Sequence, residues 1–213
     1  MKSYLFLLAG LLTISCSQKV FKEKWLEVQA PESFEARFET TQGYFDIRAE
    51  RKWSPAAVDR LYQLIKHDFY TDIAIFRVVP DFVVQFGISG DSTKNAAWMS
   101  HKVPDEPVIK SNILGTVSFA RGGPETRNIQ IFINIKDNSS NLDVSNYAGV
   151  KGFPVVAEVT SGMDVVTKFY DGYGNAPATK QGQIFEQGNE YLKENFPKLD
   201  YINSAYLLKK KKK

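Results

Sequence analysis

The chemistry available to this chain centres on an arginine and a glutamine set in otherwise apolar sequence. Arg77 is the only charge in Ile73–Val79, IAIFRVV, and Gln85 is the polar residue of Phe82–Phe86, FVVQF. A guanidinium is a rigid fork of donors, and a carboxamide can accept from it and donate onward. Brought together beside Phe82, they would make a small polar site with an apolar floor. The plainer alternative is that Arg77 only supplies charge to a strand edge. Other chemistries have little support. The two histidines, His67 and His101, lie in no nucleophile motif, and no Cys/His spacing suits zinc. Gly87-x-x-Gly90-Asp91 is too short for a phosphate loop. Asp105 and Glu106 are neighbours, so on an extended chain their carboxylates point apart. No metal or cofactor is expected.

The elements that must position Arg77 and Gln85 are strands. Ile73–Val79 is β-branched and aromatic, which fits a pleated, buried surface. Pro80-Asp81 interrupts it because proline has no N–H for a ladder. Phe82–Phe86 resumes, and Gly87 ends the run. Alternation puts Ala74, Phe76 and Val78 on one face, the core face, and Ile73, Ile75, Arg77 and Val79 on the other. Val83 and Gln85 face one way, Val84 and Phe86 the other. A second stretch alternates strictly: Ile129, Ile131 and Ile133 read as core, with Gln130, Phe132 and Asn134 opposite. An aromatic on a polar face has no core to enter unless something docks there.

Around these, Phe34, Ala36 and Phe38 alternate with charged residues, Thr40–Gly43 turns, and Phe45, Ile47 and Ala49 return as a hairpin. Ser54-Pro55 predicts a helix start, with Ser54 as N-cap and an end near His67-Asp68. Val58, Leu61, Tyr62 and Ile65 form its apolar stripe. Ile88–Asn112 reads as a long loop, Gly115–Ala120 as a strand, Asn138–Gly152 as a loop and Pro154–Val159 as a strand. Ser161-x-x-Asp164 predicts a helix through Phe169. Gly182–Leu208 is too apolar for a disordered tail, so a short helix after Gly188 and a strand over Tyr201–Leu208 are expected.

The blocks FRVVPDFVVQFG and, later, SFARGGPETRNIQIFI carry a resemblance. In spacing and order they are similar to the cyclophilin family of peptidyl-prolyl cis/trans isomerases. That family shows FHR-x-x-P-x-F-x-x-Q-x-G, then a small residue plus Asn or Arg, then Q-x-F-I. The resemblance spans Phe34 to Tyr170 and leaves a C-terminal extension. It implies a mostly β fold, a closed eight-stranded antiparallel barrel capped by two helices, which the order of elements also suits. It implies rotation about X–Pro bonds, whose amide resonance sets a barrier of about 18–20 kcal/mol. Arg77 resembles the family's catalytic arginine, a cation beside the proline nitrogen as it becomes basic at the twisted transition state. Gln85 matches the glutamine that orients it. Phe82, Val83, Phe132 and Leu142 match the proline pocket, and Ala120, Arg121 and Gln130 the peptide groove. Three positions depart: Phe76 replaces the usual His, Asn141 replaces a Trp found in many eukaryotic members, and Phe153 falls near a pocket His after a loop of different length.

Met1–Ser15 reads as an export signal, with Lys2, an apolar Leu5–Leu12 too short to span a bilayer, and then Thr13-Ile14-Ser15-Cys16. This looks like a bacterial lipoprotein signal, with Cys16, the only cysteine, as the lipidated residue. Ordinary secretion with a free thiol is the alternative. The expected organisation is signal 1–15, tether 16–33, isomerase domain with its extension 34–208, and lysine tail 209–213. The formal charge of +3 misleads, because without Lys2 and Lys209–Lys213 the body has 21 basic against 24 acidic residues. Nucleic acid is therefore not an expected partner. The expected partners are proline-containing segments of exported or unfolded proteins and, through Cys16, a membrane of the bacterial cell envelope, with the protein a monomer. A membrane-anchored proline-peptide binding module or chaperone with little turnover is the competing function.

Overall fold

The computed structural model describes residues 21–209. The signal segment, Cys16 and all but the first residue of the lysine tail lie outside the described residues. The chain opens with a 3-10 turn, Glu23–Trp25, followed by β1 (Ser33–Thr40), β2 (Gly43–Glu50) and α1 (Pro55–Lys66). Next come β3 (Ile73–Ala74), β4 (Arg77–Val79), β5 (Val83–Phe86) and α2 (Ser92–Met99). Then follow β6 (Thr116–Phe119), β7 (Ile131–Asn134), α3 (Ser139–Leu142), β8 (Asn146–Tyr147) and β9 (Val150–Lys151). The chain closes with β10 (Val155–Ser161), α4 (Met163–Val166), α5 (Gln181–Asn195) and β11 (Tyr201–Leu207).

Nine strands form one curled sheet in the order β3-β11-β1-β2-β10-β6-β7-β5-β4, and β8 and β9 pair separately. This corrects the expected closed eight-stranded barrel. Ile73–Val79 is two short strands, because the chain changes partner at Ile75-Phe76: the Ile75 N–H still donates to Asp200 O at 2.9 Å, in register with β11, whereas Arg77 already pairs with Gln85 of β5. β3 therefore pairs with β11, and β4 with β5. The two ends of the sheet are joined along the chain through Ile75-Phe76, with no ladder between them among the described residues.

The break also shifts the faces. Ile73, Ile75 and Val78 enter the main core, while Ala74 and Phe76 enter a second apolar cluster with Ile88, Ile184, Leu192 and Leu199. The expected common face of Ala74, Phe76 and Val78 is thus corrected, since alternation fails across the interruption. Phe76 is buried beneath α5.

Inside the curl, Phe38 and Phe45 are paired by register and stacked at 4.9 Å. With Ile47, Phe86, Phe119, Ile131 and Ile133 they form the main core, and α1 covers one end with Val58, Leu61, Leu64 and Ile65. Ser54 precedes α1 as expected, but its side chain does not cap the helix. Glu106 does: its carboxylate accepts from the Ala56 N–H at 2.8 Å and Ala57 at 3.3 Å, and Ser54 Oγ donates to it. An anion suits the unsatisfied N–H groups of a helix start. Arg127, fully buried, completes the cluster with 3.0 Å contacts to Glu106 and to Ser54 Oγ.

Other expectations need correction. The Ile88–Asn112 loop contains α2, capped by Asp91, which accepts from the Lys94 N–H at 3.1 Å. The helix expected through Phe169 is the single turn α4, started by Gly162 and not by Ser161; Val166 and Phe169 still reach the core. The Asn138–Gly152 loop holds α3 and the β8–β9 hairpin. α5 kinks at Gly188, with a non-helical φ of 61°, so the short helix expected after Gly188 is present and a further helical stretch from Gln181 precedes it. A Cβ at Gly188 would lie 2.9 Å from Gly90 Cα, so glycine permits both the backbone angle and the close approach. The described part of the expected tether lies against the body. Trp25 is buried and stacks on His67 at 3.9 Å, Phe21 stacks on His101 at 5.2 Å, and the Ala30 N–H donates to Asp59 at 2.8 Å. No described helix is long and apolar enough to cross a membrane.

Candidate active site

Strand register assembles the site. β4 and β5 set Arg77 opposite Gln85, β5 and β7 set Gln85 opposite Phe132, and β6 sets Ser118 beyond Phe132. Opposed residues on one face have Cβ atoms about 4.5–5.5 Å apart. A cation, a carboxamide and an aromatic ring thus stand in a row on the outer face. The alternate row, Val78, Val84 and Ile133, lies in the core. The turn joining β4 to β5 has Pro80 at its second position and Asp81 at positive φ, 56°, in its third. It closes with the Phe82 N–H donating to Val79 O at 3.1 Å. Gly87 ends β5 where an added Cβ would lie 2.8 Å from Gln130 Cα, so only glycine lets Gln130 come this close.

The side chains form a directed chain of hydrogen bonds. Arg77 Nη1 donates to Gln85 Oε1 at 2.9 Å, Gln85 Nε2 to Gln130 Oε1 at 2.8 Å, and Gln130 Nε2 to Gln181 Oε1 at 2.9 Å. Its direction is fixed, because arginine has no acceptor and Gln85 must turn its oxygen toward it. Arg77 Nε donates to Asn175 Oδ1 at 2.6 Å, and the guanidinium carbon lies 5.4 Å from the centre of the Phe82 ring. Partial burial lowers the Arg77 pKa from its usual high value, and the group remains a cation at neutral pH.

Beside this cation is a cleft of about 450 Å³. Val83, Phe132 and Leu142 make its apolar floor, with Phe82, Ala120 and Phe153 packed against them. Phe153 meets Phe132 edge to face at 5.8 Å. Of the residues singled out from sequence, Arg77, Phe82, Val83, Gln85, Ala120, Arg121, Phe132 and Leu142 line the cleft, and Gln130 joins it through Gln85. Arg121 is also held by main-chain carbonyls of the neighbouring loop. Its guanidinium is buried, donates to Val150 O at 3.1 Å and to Gly152 O, and lies 4.8 Å from the Phe153 ring. It fixes the loop that carries Phe153. Sequence reasoning left out Phe153 because the loop before it differs in length. It missed Asn175, Ala178, Thr179 and Gln181, which form a further wall.

Residues 36–188 fit the family profile described as cyclophilin type peptidyl-prolyl cis-trans isomerase/CLD. The chain belongs to the cyclophilin family. A peptidyl-prolyl cis-trans isomerase of Acinetobacter baylyi is 28% identical over 167 residues, covering 78% of this chain and 85% of the relative. Peptidyl-prolyl cis-trans isomerase B of Escherichia coli is 30% identical over 142 residues, covering 62% and 80%. In fold, the chain is similar to a cyclophilin-type isomerase of Cryptosporidium parvum, with a TM-score of 0.55, 14% identity, and coverage of 84% of this chain and 99% of that one. This cyclophilin is thus a peptidyl-prolyl cis-trans isomerase by family. Phe76, at its departing position, serves the α5 cluster, so the departure goes with the C-terminal segment packed there.

Proposed function

We propose that this cyclophilin accelerates X–Pro rotation by electrostatic stabilisation from Arg77. The observation that carries the reading is the 2.9 Å bond from Arg77 Nη1 to Gln85 at the edge of the Phe132 pocket. A proline ring seated on Val83, Phe132 and Leu142 leaves its nitrogen beside the guanidinium. As the C–N bond twists, resonance is lost and that nitrogen gains basicity, so a fixed cationic donor is worth more in the transition state than in the planar ground state. No covalent bond forms and no proton need leave Arg77. Ala120 and Gln130 stand where the substrate main chain would run, and Arg121 acts on it through the loop it holds.

The clients we propose are proline-containing segments of exported or unfolded proteins. Met1–Cys16 supports an envelope location with a lipid on Cys16, the protein acting as a single copy. The test is exchange NMR on an Ala-Pro peptide with Arg77→Ala. A hydrogen bond to a charged group is worth about 1.5–3 kcal/mol, which at about 1.36 kcal/mol per tenfold gives roughly a ten- to hundredfold loss. Full exchange rates in a folded Arg77→Ala protein would leave only a peptide-binding module.

A further inference from the structure

The segment between α4 and the middle of α5 has two polar attachments to the site, and they reach it from opposite ends. Asn175 Oδ1 accepts from Arg77 Nε at 2.6 Å. Gln181 Oε1 accepts from Gln130 Nε2 at 2.9 Å and so ends the amide chain that begins on Arg77 Nη1. The same segment is anchored by apolar burial elsewhere: Pro177 and Ile184 are buried, and Ile184 packs with Phe76. Asn175 itself is exposed and has no packing duty that would account for its place.

A guanidinium on a long side chain loses several rotatable bonds of freedom when it is fixed. One acceptor on Nη1 leaves it able to swing about that contact. A second acceptor on Nε, on another edge of the planar fork, fixes the plane. Gln85 and Asn175 together therefore orient the guanidinium while its Nη2 group donates to neither. Gln181 acts one step further out. By accepting from Gln130 it holds that amide so that its oxygen faces Gln85, and Gln85 must then present its own oxygen to Arg77. Each member of such a chain polarises the next.

We propose that Asn175 and Gln181 are positioning residues of this isomerase, holding the Arg77 guanidinium in its working plane from a wall outside the arginine–glutamine strands. The proposal rests on the reading of Arg77 given above. The experiment uses the full-length protein and two readouts: exchange NMR over a range of peptide concentrations, which separates kcat from KM, and hydrogen exchange of the Arg77 Nε–H signal, assigned by its loss in Arg77→Lys. Asn175→Ala should lower kcat about tenfold with KM little changed, the size expected for one hydrogen bond to a charged group. It should also speed exchange of the Arg77 Nε–H. Asn175→Asp retains an acceptor and should restore the slow Nε–H. Gln181→Ala should lower kcat by a smaller factor. Wild-type kcat and an unchanged Nε–H in Asn175→Ala would overturn the proposal, as would a loss confined to KM. Arg77→Ala separates the two claims. If it is slow while Asn175→Ala behaves as wild type, only the positioning role fails; if Arg77→Ala itself keeps full rate, both fail.

Discussion

Phe132 and Arg77 face the same cleft but should fail differently when removed. Phe132 is almost fully buried in the pocket floor against Phe153, so Phe132→Ala removes floor and leaves the cation in place. Peptide binding and turnover should both fall, about tenfold or more in kcat/KM, and the melting temperature should drop as well, because a buried aromatic is lost. Exchange NMR with a melting curve distinguishes this from Arg77→Ala, which should retain its stability. The same residues set the pH dependence. Burial lowers the Arg77 pKa, so its charge is lost only as pH rises through the alkaline range, and the amides of Gln85, Gln130, Asn175 and Gln181 do not titrate. Turnover should therefore be flat from about pH 6 to 8 and decline only at high pH. A histidine-like inflection near neutrality would point to another group in the mechanism.

At the scale of elements, the N-terminal segment acts as part of the domain. Trp25 is buried against His67 and Trp98, and Gln63 Nε2 donates to Leu26 O at 3.0 Å and to Val28 O at 2.8 Å. A protein cut before Phe34 should be less stable than one cut before Phe21 by about 3–5 kcal/mol, the usual cost of losing a buried tryptophan. Paired urea titrations would measure it, and equal midpoints would show that the segment contributes nothing. The docking of this segment was not legible in sequence, because Val20, Phe21, Trp25 and Leu26 are scattered among polar residues and make no periodic pattern. α2 was missed for the same reason: Asn95 and Trp98 are its only buried residues. Period-two alternation, by contrast, made Phe82–Phe86 and Ile129–Asn134 legible, and with them the row from Gln85 to Phe132. It misled at Ile75-Phe76, where the chain changes partner from β11 to β5. Asn175 and Gln181 could not be read at all, since their link to Arg77 and Gln130 depends on how the chain folds back.

At the scale of the whole molecule, the open question is attachment. If Cys16 carries lipid, as proposed, Cys16→Ser should shift the protein from the membrane fraction to the soluble one; no described helix is long and apolar enough to cross the membrane. Stable anchoring needs more than one acyl chain, so the wild type should resist a salt wash. A Cys16→Ser protein that still sediments with membranes would reject the lipid. The docked N-terminal segment then has a consequence for reach. From Cys16 to Phe21 a fully extended chain covers at most about 18 Å, whereas from Cys16 to a free Ser33 it would cover about 60 Å. On that proposal the aromatic stacks of Phe21 and Trp25 on His101 and His67 would work as a short mooring. With a lipid on Cys16 they would keep Phe21 within about 18 Å of the bilayer, so that the cleft would meet chains emerging at the membrane surface and not those already diffusing beyond it.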